Sequence, residues 1–317
     1  MNLLITGAAG FIGINFLYYA LTHNIKENYD KVFVLDKEGY VATYNLNFYN
    51  TLIKDFKLQR ITKNINDPLD IKIYNSVKWD IVNFASESHV DNSIKDPFYA
   101  FSQNSNITKR LVETIGIDNI NKFVHISTDE VYGDIDCKYK NDKSKWFTVD
   151  SKFNPSNPYS ASKVAQDAFL MSLRHTFGLN VVIVRMANQF GIYQHTEKML
   201  PASLNRAKNN NPIIIYGSGK NIRQWTPVSQ TVKHIFNILK KENNTTIHLA
   251  ATDMLLDNNE IVDILIKELK LYEINAKKEY AEDRKGHDRM YALIPTEKYK
   301  YTNSIYELFQ TVKYYIT

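Results

Sequence analysis

Short apolar runs and longer amphipathic stretches alternate along the first part of the chain. The runs at 2–6, 31–36, 60–65, 79–85, 122–128 and 180–186 are rich in Val, Ile, Leu and Phe, as strands buried in a sheet require. Between them, 11–22, 97–114 and 158–177 have the length and apolar spacing of helices. Strands alternating with helices build βαβ units, and right-handed crossovers wind such units into a doubly wound parallel sheet. The fold class expected is α/β, of the Rossmann type. After Met186 the rhythm loosens, with short strands at 213–216 and 246–250 and helices at 232–240 and 258–269. The sheet domain is therefore expected at 1–187, with roughly 218–246 returning to it, and a smaller C-terminal substrate-binding lobe mainly at 188–317. No repeat or low-complexity linker separates the two.

Gly7, Gly10 and Gly13 follow the first strand and open the first helix. That junction is where a dinucleotide fingerprint belongs: a tight turn, close backbone approach to a pyrophosphate, and a helix N-terminus facing the anion. Asp36 closes the second strand, and its carboxylate can accept both hydrogens of an adenosine ribose diol while repelling a 2′-phosphate. NAD is favoured over NADP, with the adjacent Lys37 as the opposing charge.

Asn157 and Pro158 read as a helix start, with Asn as N-cap and Pro in the first turn. Tyr159 and Lys163 then lie four apart on one helical face, within reach of each other or of one ligand. A nearby ammonium and a positive nicotinamide would bring the phenol down from its usual pKa of ~10, making tyrosinate usable as a base. Thr128 ends the fifth strand, so Thr128, Asp129 and Glu130 should emerge at the carboxyl edge of the sheet, where ligands bind in open α/β folds. An acid and a base side by side there exceed what a simple dehydrogenase needs.

Composition narrows the remaining classes. The 317 residues fit about two domains, and 44% hydrophobic with 23% charged residues is ordinary for a globular chain. A net charge of +5, with lysines scattered apart from modest clusters at 138–145 and 277–285, lacks the basic face of a nucleic-acid binder. Mild positive charge does suit a phosphate-bearing substrate. One cysteine, Cys137, forbids an intrachain disulfide and points to a reducing compartment. The apolar start lacks a basic leader and is broken by Gly7, Gly10, Gly13 and Asn15, so neither a signal peptide nor a membrane span is expected. The expectation is a cytoplasmic protein with no membrane or nucleic-acid partner, and no metal site is assigned.

With these motifs in place, the chain resembles the extended short-chain dehydrogenase/reductases, and more narrowly the dTDP-glucose or UDP-glucose 4,6-dehydratases. The resemblance runs nearly end to end through 86–91, 127–133, 158–163, Asn188, Tyr193, Glu197, Lys198, Pro201, 223–225, 283–289 and Tyr291. It implies that Tyr159, assisted by Lys163 and Thr128, takes the proton of the sugar 4-hydroxyl as hydride leaves C4 for NAD. Glu130 then removes the acidified C5 proton, a protonated Asp129 donates to the departing 6-hydroxyl, and hydride returns to C6. Adjacent carboxyl groups in opposite roles need environments that separate their pKa values.

The resemblance further implies a cofactor site that includes Phe11, Ile12, Asn64, Ile65 and Ala85. It implies a nucleotide-diphosphate-glucose site with Asn188, Lys198 and Arg223, a sugar pocket bordered by Glu87 and His89, and Arg284, His287 and Arg289 nearby. It also implies a homodimer through the helices beginning near Pro97 and Pro158, and a place in deoxysugar (rhamnose-type) biosynthesis. Departures cluster at the nucleotide: Asn64 stands for an Asp, Gln189 for an Asn, Asp253 for an Asn, and 225–228 reads Trp-Thr-Pro-Val for Trp-Leu-Tyr-Val. They leave the base of the nucleotide open. Two alternatives stand beside this reading: an epimerase or decarboxylase of the same fold, and an inactive dinucleotide- or RNA-binding scaffold.

Overall fold

The structure, a computed structural model, describes residues 1–69, 77–88, 90–283 and 286–317, with the side chains of 90–92 left out. In chain order the first elements are β1 (Asn2–Thr6), α1 (Phe11–Thr22), β2 (Lys31–Asp36), α2 (Tyr40–Thr43), α3 (Leu46–Phe56) and β3 (Gln59–Thr62). Then come β4 (Trp79–Asn83), α4 (Val90–Lys95), α5 (Pro97–Ile115), β5 (Ile120–Thr128), α6 (Pro158–Phe177) and β6 (Val181–Met186). The later elements are β7 (Gln189–Phe190), α7 (Met199–Lys208), β8 (Ile213–Tyr216), β9 (Ile222–Gln224), β10 (Thr226–Pro227) and α8 (Val228–Lys241). The last are β11 (Thr245–Leu249), β12 (Leu255–Asp257), α9 (Asn258–Leu269), β13 (Lys278–Ala281) and α10 (Ser304–Ile316).

The main sheet has seven strands in the order β11-β6-β5-β4-β1-β2-β3. β1 pairs in parallel with both β2 and β4, β2 with β3, and β4 with β5. This is the doubly wound α/β arrangement expected, and the order reverses at β1, between β2 and β4. A crevice opens at the carboxyl ends of strands on either side of such a switch point. β1, β4 and β6 are buried along their whole length, so their continuous apolar runs have the cause assigned to them.

The chain folds into two compact units. The first takes 1–131, 157–185 and 232–247. Its core joins Leu4, Phe33, Trp79, Ile81, Phe123 and Ile183 of the strands to Ile107, Leu111 and Leu170 of α5 and α6. The second takes 132–156, 186–231 and 248–317. It has one core around Phe190, Leu204, Ile215, Val262 and Leu308, and another in which Ile135 and Trp146 pack with Ile222 and Met290.

Three boundaries have local causes. α6 begins at Pro158 because Asn157 Oδ1 accepts the Ser160 backbone N–H at 2.9 Å and Ser160 Oγ accepts the Asn157 N–H at 3.1 Å, a reciprocal cap. α5 begins at Pro97, with Asp96 accepting from the Tyr99 N–H. The strand expected at 60–65 stops at Thr62, because Asn64 Oδ1 accepts the Asn66 N–H at 3.0 Å and turns the chain. Among the described residues no helix is long and apolar enough to cross a membrane.

Candidate active site

The turn after β1 is shaped for an anion. Gly7 has φ +64°, and a Cβ there would sit 2.7 Å from the Ala85 backbone nitrogen. A Cβ on Gly13 would lie 2.1 Å from the Gly7 carbonyl oxygen, so glycine is required for strand and helix to close on each other. α1 begins after Gly10 with no side-chain cap and no acidic residue in its first turn, so its leading N–H groups keep their positive end for a ligand. Phe11 and Ile12 stand half-buried at that opening, and Ala85 follows β4 beside Gly7.

Asp36 closes β2 and is buried. Its Oδ2 accepts the Ala9 N–H at 3.0 Å and its Oδ1 the Glu38 N–H at 2.8 Å, so the carboxylate is held rigid with a lone pair on each oxygen to spare. Burial raises the Asp36 pKa, against the two backbone hydrogen bonds that lower it. The glycine cradle, the uncapped helix and this carboxylate fit a dinucleotide with a free ribose diol.

Around them, Lys37 pairs with Glu87, Nζ to Oε2 at 3.1 Å. Asn64 donates to Gln103 Oε1 at 3.3 Å. The Ile65 side chain packs in the core of the first unit, which restricts any ligand contact there to its backbone.

The candidate reacting groups come from β5, the turn that follows it, and α6. Tyr159 is buried, and Ser86 and Thr128 are the side chains whose hydroxyls favour its ionised form. Thr128 Oγ1 also donates to Asp129 Oδ1 at 3.2 Å and accepts the Glu130 N–H at 3.3 Å. Asn157, the cap of α6, donates from Nδ2 to Glu130 Oε2 at 3.3 Å. One asparagine thus ties the start of the tyrosine's helix to the neighbouring carboxylate. Asp129 is 2% exposed while Glu130 is half-buried, so the adjacent carboxyls occupy different environments.

The expected effect of Lys163 on Tyr159 is corrected. Burial, then the charges of Glu130 and Asp129, push the phenol's pKa up, while only the Ser86 and Thr128 hydrogen bonds oppose this. The Lys163 ammonium faces elsewhere: it donates to the Ile126 carbonyl at 2.9 Å and to Gln166 Oε1 at 2.7 Å. Full burial pulls its pKa down to about 8, against the attraction of Asp167. The protein's own groups therefore keep the tyrosine protonated.

Behind Lys163 lies a buried polar network that the sequence reading missed. Thr6 donates to Asn83 Oδ1 at 2.6 Å, which turns the Asn83 amide nitrogen toward His125 Nδ1 at 3.0 Å and leaves the ring proton on Nε2. His125 Nε2 is 3.6 Å from Asp167 Oδ1, and Asp167 Oδ2 accepts from Arg185 Nε at 2.8 Å. Burial, with Lys163 and Arg185 adding to it, holds His125 well below the usual imidazole pKa. Asn104 of α5 is equally buried. It accepts the Glu87 N–H at 2.7 Å and donates to the Glu87 carbonyl at 3.0 Å and to Ser162 Oγ at 3.1 Å. An asparagine on the apolar face of an amphipathic helix was the available signal.

The second unit holds the other expected residues. Arg223 is buried with its guanidinium 4.3 Å from the Tyr291 ring centroid. Its Nη1 donates to the Ile222 and Arg289 carbonyls and its Nη2 to the Asp288 carbonyl, which fixes one edge of the fork on backbone. The Asn188 carbonyl accepts the Thr226 N–H, and its side chain is exposed. Lys198 is partly exposed, 3.7 Å from Glu197. His287 Nδ1 sits 2.7 Å from Asp283 Oδ1.

Arg289 departs from the expectation of a ligand-facing cation, because it is committed to Asp134 at 2.6 Å and Asp136 at 3.2 Å. Asp253, a departure at the nucleotide, accepts from the Ser304 N–H and hydroxyl and so caps α10. His89 and Arg284 lie outside the described residues.

Comparison with known proteins follows the same lines. A 4,6-dehydratase relative from Mycobacterium tuberculosis, a dTDP-glucose 4,6-dehydratase, is 30% identical over 94% of this chain and 86% of its own length. The low-salt glycan biosynthesis protein Agl12 of Haloferax volcanii is 35% identical over 94% of this chain and 91% of its own. The crystal structure of DesIV, a dTDP-glucose 4,6-dehydratase of Streptomyces venezuelae with NAD and TYD bound, superposes with a TM-score of 0.85. It has 31% identity and covers 99% of this chain and 97% of that one. The family profile described as GDP-mannose 4,6 dehydratase matches residues 4–304, and this chain belongs to that family.

Proposed function

We propose that the chain is an NAD-dependent nucleotide-sugar 4,6-dehydratase that converts dTDP- or UDP-glucose into its 4-keto-6-deoxy derivative. The observation that carries this reading is the turn after β5. Thr128, whose hydroxyl favours the ionised form of Tyr159 and donates to Asp129, is followed by two carboxylic acids in unlike surroundings. The Gly7–Gly13 turn and Asp36 would hold NAD, which would supply the hydride acceptor for C4 and the hydride donor for C6.

With NAD bound, the positive nicotinamide would offset the burial and carboxylate charges that raise the phenol, so that Tyr159 takes the proton of the 4-hydroxyl as tyrosinate, with Thr128 and Ser86 favouring that form. Oxidation at C4 acidifies the C5 proton, which Glu130 removes while Asn157 holds its carboxylate in place, and which returns to C5 when hydride reaches C6. Asp129, sequestered from water and bonded to Thr128, is the acid that donates to the leaving 6-hydroxyl. Lys163 acts as a buried donor anchored on Ile126 and Gln166.

Arg223 presents the edge not spent on backbone carbonyls to the nucleotide diphosphate, and Asn188, Lys198 and His287 complete that site in the second unit. Phe98 is 87% exposed and Tyr99 56% at the start of α5, and Phe177 is 65% exposed at the end of α6. These aromatics suit a homodimer built on the two helices. The product feeds deoxysugar synthesis of the rhamnose type, in the cytoplasm.

Incubation with dTDP-glucose and with UDP-glucose tests the reading, with mass spectrometry following loss of water. A 4-keto-6-deoxy product from one of them is expected. Formation of a C4 epimer with no loss of water would overturn it.

A further inference from the structure

The cations near the ribose end of the cofactor site are already occupied. β2 and β3 pair in parallel with Val34 opposite Arg60 and Asp36 opposite Thr62, so Arg60 projects from the strand beside the cofactor-binding carboxylate. Two residues after Asp36, Glu38 has φ +53° and donates its N–H back to Asp36 Oδ1. That left-handed turn carries the Glu38 side chain over to β3. Its Oε1 accepts from Arg60 Nε at 2.8 Å and its Oε2 from Arg60 Nη2, a two-pronged pair, while Thr62 Oγ1 donates to Oε1 at 2.8 Å. Arg60 Nη1 is taken by Asn50 Oδ1 at 3.0 Å. Lys37 is paired with Glu87, and Lys63 donates to the Pro68 carbonyl.

We propose that Glu38 is a cofactor-specificity residue: by clamping Arg60 it masks a 2′-phosphate site and keeps this chain selective for NAD. The inference rests on the NAD reading above and deepens it, since Asp36 alone leaves an arginine fork within the same strand pair. A guanidinium fork is the group that best matches a phosphate, and its bidentate carboxylate partner both fills the fork and adds a second negative charge. Arg60 in turn holds the Glu38 carboxyl below its ordinary range, so the mask stays charged at neutral pH. A non-glycine residue at positive φ is tolerated here because the Asp36 and Arg60 contacts both fix it.

Calorimetric titration of the full chain with NAD and with NADP tests this, using wild type, Glu38→Gln, Glu38→Asn and the double variant Glu38→Gln/Arg60→Ala. Asn tolerates the left-handed backbone and is too short to close the fork, so it covers a failure of the Gln variant to fold. The ratio of the NADP to the NAD dissociation constant should fall by about tenfold or more in either single variant, as expected when a charged clamp is released. The double variant should return it toward the wild-type value. A ratio within about twofold of wild type in both single variants, or a gain that survives loss of Arg60, overturns the proposal. Failure of wild type to bind NAD at all overturns instead the cofactor reading beneath it.

Discussion

Two arginine–carboxylate clusters, one in each unit, show what burial does to the same chemistry. In the first unit Arg185 and Asp167 are 2% and 0% exposed and stand against His125 and Lys163. In the second, Arg289 is 57% exposed and reaches two aspartates, Asp134 and Asp136, at the surface. The contact distances are alike, 2.8 Å and 2.6 Å, but burial leads the shifts in the buried set, whereas at the surface hydrogen bonds lead them, lowering Asp136 and raising Arg289. Burial, then the charges of Lys163 and Arg185, depress His125, and burial depresses Lys163. Water screens the surface pair and replaces either partner when it leaves, whereas a buried charge that loses its partner has no substitute. Geometry alone would rank the clusters equal.

The largest expected effect follows from breaking the buried pair. Arg185→Met leaves Asp167 uncompensated and should cost about 3–5 kcal/mol, read by chemical denaturation at neutral pH. Lys163 gives the next test. Its pKa is about 8 folded against 10.5 as the ordinary value, so between those limits the unfolded chain binds more protons. Stability of wild type relative to Lys163→Met should therefore rise as pH climbs from about 8 toward 10.5, by on the order of 3 kcal/mol across the window. A flat difference would mean that the lysine is not buried as described.

A smaller loss is expected for Asn157→Ala. Removing the α6 cap should cost about 1 kcal/mol, and because the same side chain holds Glu130, kcat should fall while KM stays near its wild-type value. The smallest effect closes the comparison: Arg289→Ala should leave the melting temperature unresolved from wild type. A clear drop would show that the surface cluster is worth more than its exposure allows.

Legibility along the chain followed how local each cause is. β1, α1 and α6 were readable to the residue because glycine at 7–13 and Asn157 with Pro158 act within a turn of themselves. The strand at β3 was overdrawn, since Asn64 turning onto Asn66 is a side-chain event that hydropathy does not register. α3 and α10 passed unread. α10 is capped from Asp253, far away in sequence, and not by its own flanking Asn303.

The same division holds in the site. Thr128, Asp129, Glu130 and Tyr159 were identified by sequence, and they share one turn and one helix start. What surrounds them was not: Asn104 on Glu87 and the His125–Asp167–Arg185 network come from separate strands and helices.

By itself, then, the sequence determined the α/β order of elements, the glycine turn, and the candidate side chains at the end of β5 and the start of α6, because each depends on residues a few positions apart. Tertiary structure decided the charge state and the company of those side chains. It turned Lys163 toward Ile126 and Gln166, raised the Tyr159 pKa, set Glu38 on Arg60 and spent Arg289 on two aspartates. Desolvation and charge pairing depend on what packs against a group in space, and neighbours brought in from distant strands leave no mark in the local pattern.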